Sequence, residues 1–160
     1  LVGVEASVRP FQLRIETPFD LGGRDAQIEG FGRLRQRLAR LGSTIELVAD
    51  EWCDTLEDVR AFSAAGAAHL LQVKMPDMGS LSESVQAVLE CRAGATRAYL
   101  GGSCAETDLS ARAAVHVALA CRPAMLLAKP GMGVDEAIMI VGNEQNRTLA
   151  LLKSRLAQRP

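Results

Sequence analysis

The sequence has no long apolar run, no dense basic tract and no cysteine pair spaced as CxxC. A membrane helix needs roughly 20 consecutive apolar residues, and no run approaches that length. The first residues also lack the uninterrupted apolar stretch of a signal peptide. Lysine plus arginine (18) nearly balance aspartate plus glutamate (19), which removes the electrostatic case for nucleic acid. We therefore expect a small-molecule ligand and neither a membrane nor a nucleic-acid partner.

The four cysteines lie within predicted helices and strands or next to them, which favours reduced thiols over disulfides or a zinc site. They are Cys53, Cys91, Cys104 and Cys121. A cytoplasmic location is the default expectation for such a chain. The first residue is Leu1 rather than methionine, and we expect the chain to be a piece of a longer protein.

What the sequence does contain is an alternation of strand-length apolar runs with helical patterns, which is typical of β/α units with a parallel sheet. The five predicted strands are Gln12 to Thr17, Thr44 to Asp50, His69 to Met75, Arg97 to Ser103, and Ala124 to Lys129. The five predicted helices are Asp25 to Leu41, Leu56 to Ala65, Leu81 to Arg92, Leu109 to Cys121, and Val134 to about Ala157. The predicted fold class is α/β.

Five β/α units leave two architectures open. An open five-stranded sheet would need a crevice at a switch point and usually a glycine loop for phosphate, but no such loop follows the first strand. The alternative is the C-terminal part of a (β/α)8 TIM-type barrel. This second interpretation requires three more strands, supplied by an upstream segment or by another chain.

Polar side chains recur at the carboxyl ends of the predicted strands. Glu16 ends the first strand and Asp50 the second, so both are expected at the mouth of a barrel. In the third strand Gln72 and Lys74 are two residues apart and therefore share the interior face. A buried lysine is either paired with acids or used for proton transfer, so an ion pair between Lys74 and Glu16 or Asp50 is the alternative to a catalytic role.

Two loops add further candidates. The fourth strand runs into Gly101-Gly102-Ser103-Cys104, where glycines allow close approach of a ligand to the backbone. The segment from Lys129 to Glu136 reads as a loop that opens a helix. Both histidines are interpreted as structural, because no arrangement with a nucleophile is legible around them.

Four blocks together carry a resemblance to a known family. They are Val48 to Cys53, Gln72 to Lys74, Gly101 to Thr107, and Lys129 to Glu136 followed by Asn143 to Arg147. Their order and spacing over nearly the whole chain resemble the methylaspartate ammonia-lyase family of the enolase superfamily. No common loop or capping rule would generate four such blocks, one per β/α unit.

The resemblance implies a function for particular residues. Glu16 and Asp50 would be two of three carboxylates that hold Mg²⁺, and Lys74 would be the base that removes the C3 proton of L-threo-3-methylaspartate. The implied substrate contacts are Gln72, Ser103, Cys104 and Leu127. The third carboxylate, a further histidine and an N-terminal lid domain would lie upstream, and the intact protein would be a homodimer.

Two other functions remain open at this point. Another enolase-superfamily racemase, epimerase or cycloisomerase would use the same metal, but its usual signature is two lysines that flank one residue, and Gln72 occupies the place of the first. The chain could also be an inactive half-barrel that serves as an assembly partner.

Overall fold

The computed structural model describes residues 1–128 and 131–158. Eleven elements follow one another along this part of the chain. In order they are α1 (Val2–Ser7), β1 (Arg14–Glu16), α2 (Arg24–Arg40), β2 (Glu46–Ala49), α3 (Leu56–Ala65), β3 (Leu70–Val73), α4 (Leu81–Ala93), β4 (Arg97–Leu100), α5 (Asp108–Cys121), β5 (Met125–Leu126) and α6 (Val134–Ala157).

The five strands form one curled, fully parallel sheet in the order β1-β2-β3-β4-β5. Each strand is followed by a helix that returns the chain to the start of the next, so sequential strands are also spatial neighbours. This is the topology of five consecutive units of a (β/α) barrel. The prediction of five β/α units of a TIM-type barrel is confirmed.

The predicted elements differ from the structure mainly at their ends. The strands are shorter than predicted, and several of them, such as β1 and β2, lose residues at both ends. The predicted end of the fifth strand, Lys129, lies outside the described residues. Among the described residues, no helix is long and apolar enough to cross a membrane.

Helix α1 was not predicted. The carboxylate of Glu5 determines the position of this segment. It accepts hydrogen bonds from the backbone N–H of Thr44 at 2.7 Å and from the hydroxyl groups of Thr44 and Ser43. Glu5 is buried by these contacts, which fasten α1 to the loop that precedes β2.

The alternation of side chains along the strands divides the apolar residues into two layers. Leu47, Leu71 and Leu100 face the helices and belong to the large core between sheet and helices. The opposite face carries a separate small cluster built from Val48, Leu70 and Tyr99. The concave face of the sheet is therefore packed at mid-height, as in a barrel interior.

An ion cluster lies on the concave face at the amino ends of the strands. Glu46 of β2 pairs with Arg14 of β1 at 2.8 Å and with Arg97 of β4. Burial opposes the charged form of Glu46, but the two guanidinium groups hold its pKa below the usual range. This cluster ties three of the five strands together.

His69 has a structural role at the start of β3. The backbone N–H of His69 donates to the carbonyl of Leu47, and the ring Nδ1 of His69 accepts the backbone N–H of Leu47 at 2.9 Å. Nδ1 can accept only in the neutral imidazole. Burial and the nearby Arg35 lower the pKa of His69 below its ordinary value of 6.5.

This bond predicts a pH-dependent contribution to stability. Because the pKa of His69 is lower in the folded state, the unfolded chain binds the proton first as the pH falls. The hydrogen bond therefore contributes fully to stability above the ordinary pKa of histidine. This contribution is lost as the pH falls through the folded-state pKa. His69→Asn keeps an acceptor near the Nδ1 position and cannot be protonated. Urea titrations between about pH 7.5 and 5.5 should show the wild-type chain losing more stability than the variant, and parallel profiles would contradict the assignment.

Candidate active site at the carboxyl ends of the strands

The predicted site residues occupy equivalent places on the sheet. Glu16 is the last residue of β1, Asp50 and Lys74 come directly after β2 and β3, and Leu127 comes directly after β5. The strands are parallel and in register. Their carboxyl ends therefore meet at one edge, which in barrels of this kind is the edge that carries the active site.

The ammonium group of Lys74 lies among three carboxylates. Its Nζ is 2.9 Å from Oδ1 of Asp50, 3.3 Å from Oδ2 of Asp77 and 3.9 Å from Oδ1 of Asp54. Burial favours the neutral amine, but the attraction of Asp50 and Asp77 outweighs it and raises the pKa of Lys74 above its ordinary value. In this state of the chain Lys74 is a charged ion-pair partner.

The sequence did not reveal Asp77 and Asp54 as neighbours of Lys74. Asp77 reaches the ammonium because the chain turns sharply after β3, where the N–H groups of Asp77 and Met78 both donate to the carbonyl of Lys74 at 3.1 Å. In the sequence, only the spacing of three residues between Lys74 and Asp77 hints at this contact. That spacing predicts a contact only when the turn after β3 is known.

Glu16 and Asp50 are close enough to repel each other. Burial raises the pKa of Glu16, the charge of Asp50 raises it further, and a hydrogen bond from Gln72 opposes both effects. Oδ1 of Asp50 is buried, and the Lys74 ammonium is its partner at 2.9 Å. Two carboxylates that repel each other at a partly buried site suit a hard divalent cation.

These two carboxylates do not complete a metal site by themselves. Within residues 1–128 and 131–158, no group of three or more His, Cys, Asp or Glu side chains is placed to hold a metal ion. Mg²⁺ keeps several waters and is usually held by one or two carboxylates together with other oxygen donors. Glu16 and Asp50 thus fit part of a magnesium shell, and additional ligands would have to come from elsewhere.

Gln72 is buried on the concave face between Glu16 and β4. Gly101, directly after β4, lies beside the Gln72 side chain, which a Cβ atom at position 101 would overlap. The absence of a side chain at position 101 is therefore what allows the Gln72 amide to reach the strand ends.

The loop after β4 is organised by Glu106 rather than by the residues predicted to bind substrate. The buried Glu106 carboxylate accepts the N–H of Ser103 at 3.3 Å and the hydroxyl of Ser110. The Ser103 hydroxyl in turn accepts the N–H of Ala105. Cys104 is exposed, with a free thiol, so the loop presents one hydroxyl and one thiol at the rim.

Leu127 lies at the same edge of the sheet, directly after β5. It is half-buried and packs against the inner cluster of Val48, Leu70 and Tyr99. Ala128 follows it, and the next two residues, Lys129 and Pro130, are outside the described residues. Gly131, the next residue described, has a φ of +80°, and a Cβ there would collide with the carbonyl of Cys104.

Neither histidine joins this group. His69 precedes β3 and so lies at the opposite edge of the sheet. His116 is in the middle of α5, where its Nε2 is 2.6 Å from the carboxylate of Glu144 on α6. Arg147 pairs with the same carboxylate and is the first cause of its low pKa, about 2. This trio joins two helices on the outside of the sheet.

The family model for the C-terminus of methylaspartate ammonia-lyase matches residues 1–154. The chain belongs to the methylaspartate ammonia-lyase family. Methylaspartate ammonia-lyase 2 of Carboxydothermus hydrogenoformans is 53% identical over 146 residues, which cover 91% of this chain and 35% of that protein. The chain spans just over a third of the length of the relatives it matches.

Solved structures agree with this membership. The Citrobacter amalonaticus methylaspartate ammonia-lyase, whose crystals contain (2S,3S)-3-methylaspartic acid, superimposes with a TM-score of 0.92 at 47% identity, covering 95% of this chain and 37% of that one. The β-methylaspartase of Clostridium tetanomorphum, solved as a magnesium complex, gives 0.90 at 46% identity, over 95% and 37%. A muconate lactonizing enzyme of Pseudomonas putida matches at 0.58 and 25% identity, over 69% and 28%.

The close contact between Gly101 and Gln72 can be tested in this family member by Gly101→Ala. The added methyl group has no space unless Gln72 moves, so we expect a loss of stability of about 1–3 kcal/mol. Gly142→Ala is the matched control, because a Cβ there meets no atom within 4 Å and the residue lies inside α6. It should be neutral or stabilising by about 0.5–1 kcal/mol. Equal unfolding free energies for the two variants would show that the contact is unimportant.

Proposed function

We propose that the longer protein to which this chain corresponds is a carbon–nitrogen lyase that eliminates ammonia from L-threo-3-methylaspartate to give mesaconate. The observation that carries the proposal is Lys74 at the carboxyl end of β3, 2.9 Å from Asp50, in a chain of the methylaspartate ammonia-lyase family. The methylaspartic acid in the Citrobacter relative supports the choice of substrate.

Glu16 and Asp50 would hold Mg²⁺, as their oxygen donors and mutual repulsion favour. The magnesium complex of the Clostridium relative supports this choice of ion. When bound, the ion supplies Lewis acidity that makes a proton next to a carboxylate easier to remove. An upstream segment would provide the further metal ligands, a histidine that serves the opposite face of the substrate, and a lid domain.

Lys74 would remove the proton from C3 of the substrate. The proton passes from C3 to Nζ, the electron pair of the C3–H bond forms the double bond to C2, and the bond from C2 to nitrogen breaks to release ammonia. Only the neutral amine can accept the proton, whereas the acids around Lys74 favour its charged form. A cation that takes over the charge of Asp50 would remove the largest attraction that opposes this role.

The remaining predicted residues would orient the substrate. Gln72 and Ser103 offer an amide and a hydroxyl at the strand ends, and Cys104 offers its N–H and thiol at the rim. Leu127 would line the pocket near the substrate methyl group or amine. We further propose that the intact protein is a cytoplasmic homodimer, in agreement with the family resemblance.

The Lys74→Ala variant distinguishes a role of Lys74 as general base from a role as a structural ion-pair partner. A lost general base should lower the rate by about 10²- to 10⁴-fold or more, with a nearly unchanged melting temperature in saturating Mg²⁺. A structural ion pair would instead cost about 3–5 kcal/mol of stability. In the full-length protein, exchange of the C3 proton in deuterated water, followed by NMR, reports proton removal even when ammonia loss is slow.

Asp77→Asn is the matched control for this experiment. It removes an outer acid that contacts Lys74 and leaves the proposed base and metal ligands in place, so C3 exchange should persist. Wild-type exchange in Lys74→Ala with a collapsed melting temperature would eliminate Lys74 as the base.

Asp50→Ala tests the metal assignment. Removal of a direct ligand should weaken Mg²⁺ binding strongly, whereas Ala49→Gly, at the preceding residue that faces the helices, should leave the affinity nearly unchanged. Isothermal titration calorimetry of the full-length protein with Mg²⁺ measures both. An unchanged dissociation constant in Asp50→Ala would remove this residue from the metal shell.

A further inference from the structure

Thr17, the residue directly after Glu16, has an unusual backbone conformation. Its φ of +32° lies in the left-handed region, which a β-branched residue rarely adopts because its side chain crowds the backbone there. Residues held in such conformations persist only where the surrounding structure imposes them, and they cluster at functional sites. The contacts that hold Thr17 join the ends of β1 and β2.

Thr17 makes two hydrogen bonds with β2. Its N–H donates to the carbonyl of Val48 at 3.0 Å, and its Oγ1 accepts the N–H of Asp50 at 3.2 Å. The second bond departs from the regular ladder. The N–H of Glu46 donates to the carbonyl of Leu13, and the same register would pair the N–H of Asp50 with the carbonyl of Thr17.

The Thr17 hydroxyl thus accepts the hydrogen bond that the regular ladder would give to the Thr17 carbonyl. The change of acceptor coincides with the positive φ of Thr17, which departs from strand geometry at this residue. The backbone of Asp50 is therefore held by a side chain of the residue next to Glu16. Thr17 is thus bonded to Glu16 through the chain and to Asp50 through a hydrogen bond, so it links the backbones of the two carboxylate residues.

We propose that Thr17 is a positioning residue that sets the separation of the Glu16 and Asp50 carboxylates for a divalent cation. The inference rests on the metal role proposed above for these two residues. Thr17 does not contribute a ligand itself in this proposal. It acts through the hydrogen bond that fixes Asp50.

Thr17→Gly separates positioning from a general contribution to stability. Glycine accepts a positive φ without a steric cost, so the metal-free variant should melt no lower than the wild type. It lacks the hydroxyl, however, and we expect its Mg²⁺ affinity to fall about tenfold, as is typical when a partner of a metal ligand is removed. A purely structural role would make affinity and stability change together.

Thr17→Ser keeps the hydroxyl and is the matched control. We expect it to bind Mg²⁺ within about twofold of the wild type, since the acceptor for Asp50 is retained. The measurements are calorimetric titration of the full-length protein with Mg²⁺ and thermal melts of the metal-free protein. Wild-type affinity in Thr17→Gly, or a tenfold loss in Thr17→Ser, would overturn the positioning role.

Asp50→Ala in the same titration distinguishes a failure of the metal assignment from a failure of the positioning role of Thr17. If that variant binds Mg²⁺ as the wild type does, the metal assignment fails and the role of Thr17 fails with it. If Asp50→Ala loses binding while Thr17→Gly keeps it, only the positioning role is wrong. Loss of affinity in both, with an undiminished melting temperature in Thr17→Gly, supports both.

Discussion

The common direction of the five strands is the constraint on which the rest of the structure depends. Because all strands are parallel and in register, each strand contributes its last residues to the same edge. Glu16, Asp50, Lys74 and Leu127 follow one another at intervals of 24 to 53 residues in sequence and still meet there. The helices on the outer face make this possible, since each returns the chain to the start of the next strand and buries the apolar side of the sheet.

Among the residues that the structure describes, 1–128 and 131–158, the charges found at this edge do not balance. One ammonium group, that of Lys74, lies near three carboxylates, and Glu16 adds a fourth acid that feels the charge of Asp50. Close acids repel, and at a partly buried site the repulsion is weakly screened. An excess of negative charge destabilises a purely structural cluster but favours the binding of a cation. The same geometry that pairs Lys74 with Asp50 therefore also favours a metal ion.

Residues that follow the regular period of a strand could be predicted from the sequence. Gln72 and Lys74 share a face because side chains alternate, and the five β/α units follow from the alternation of apolar patterns. Asp77 could not be predicted, because its contact with Lys74 depends on a turn whose geometry is set by backbone hydrogen bonds. Helix α1 was missed for a related reason. Its position is fixed by Glu5, a polar residue whose partners on the loop before β2 are 38 and 39 residues away.

The concave face of the sheet is arranged in three levels, and their order bears on how the site can work. An ion cluster around Glu46 lies at the amino ends, an apolar layer that contains Tyr99 lies in the middle, and the acids with Lys74 lie at the carboxyl ends. The apolar layer separates the two charged levels along the concave face. The field at a cation bound at the mouth would depend on its distances to both Glu16 and Asp50 at once. The relative placement of these two carboxylates, and not only their presence, therefore bears on how strongly a cation would bind.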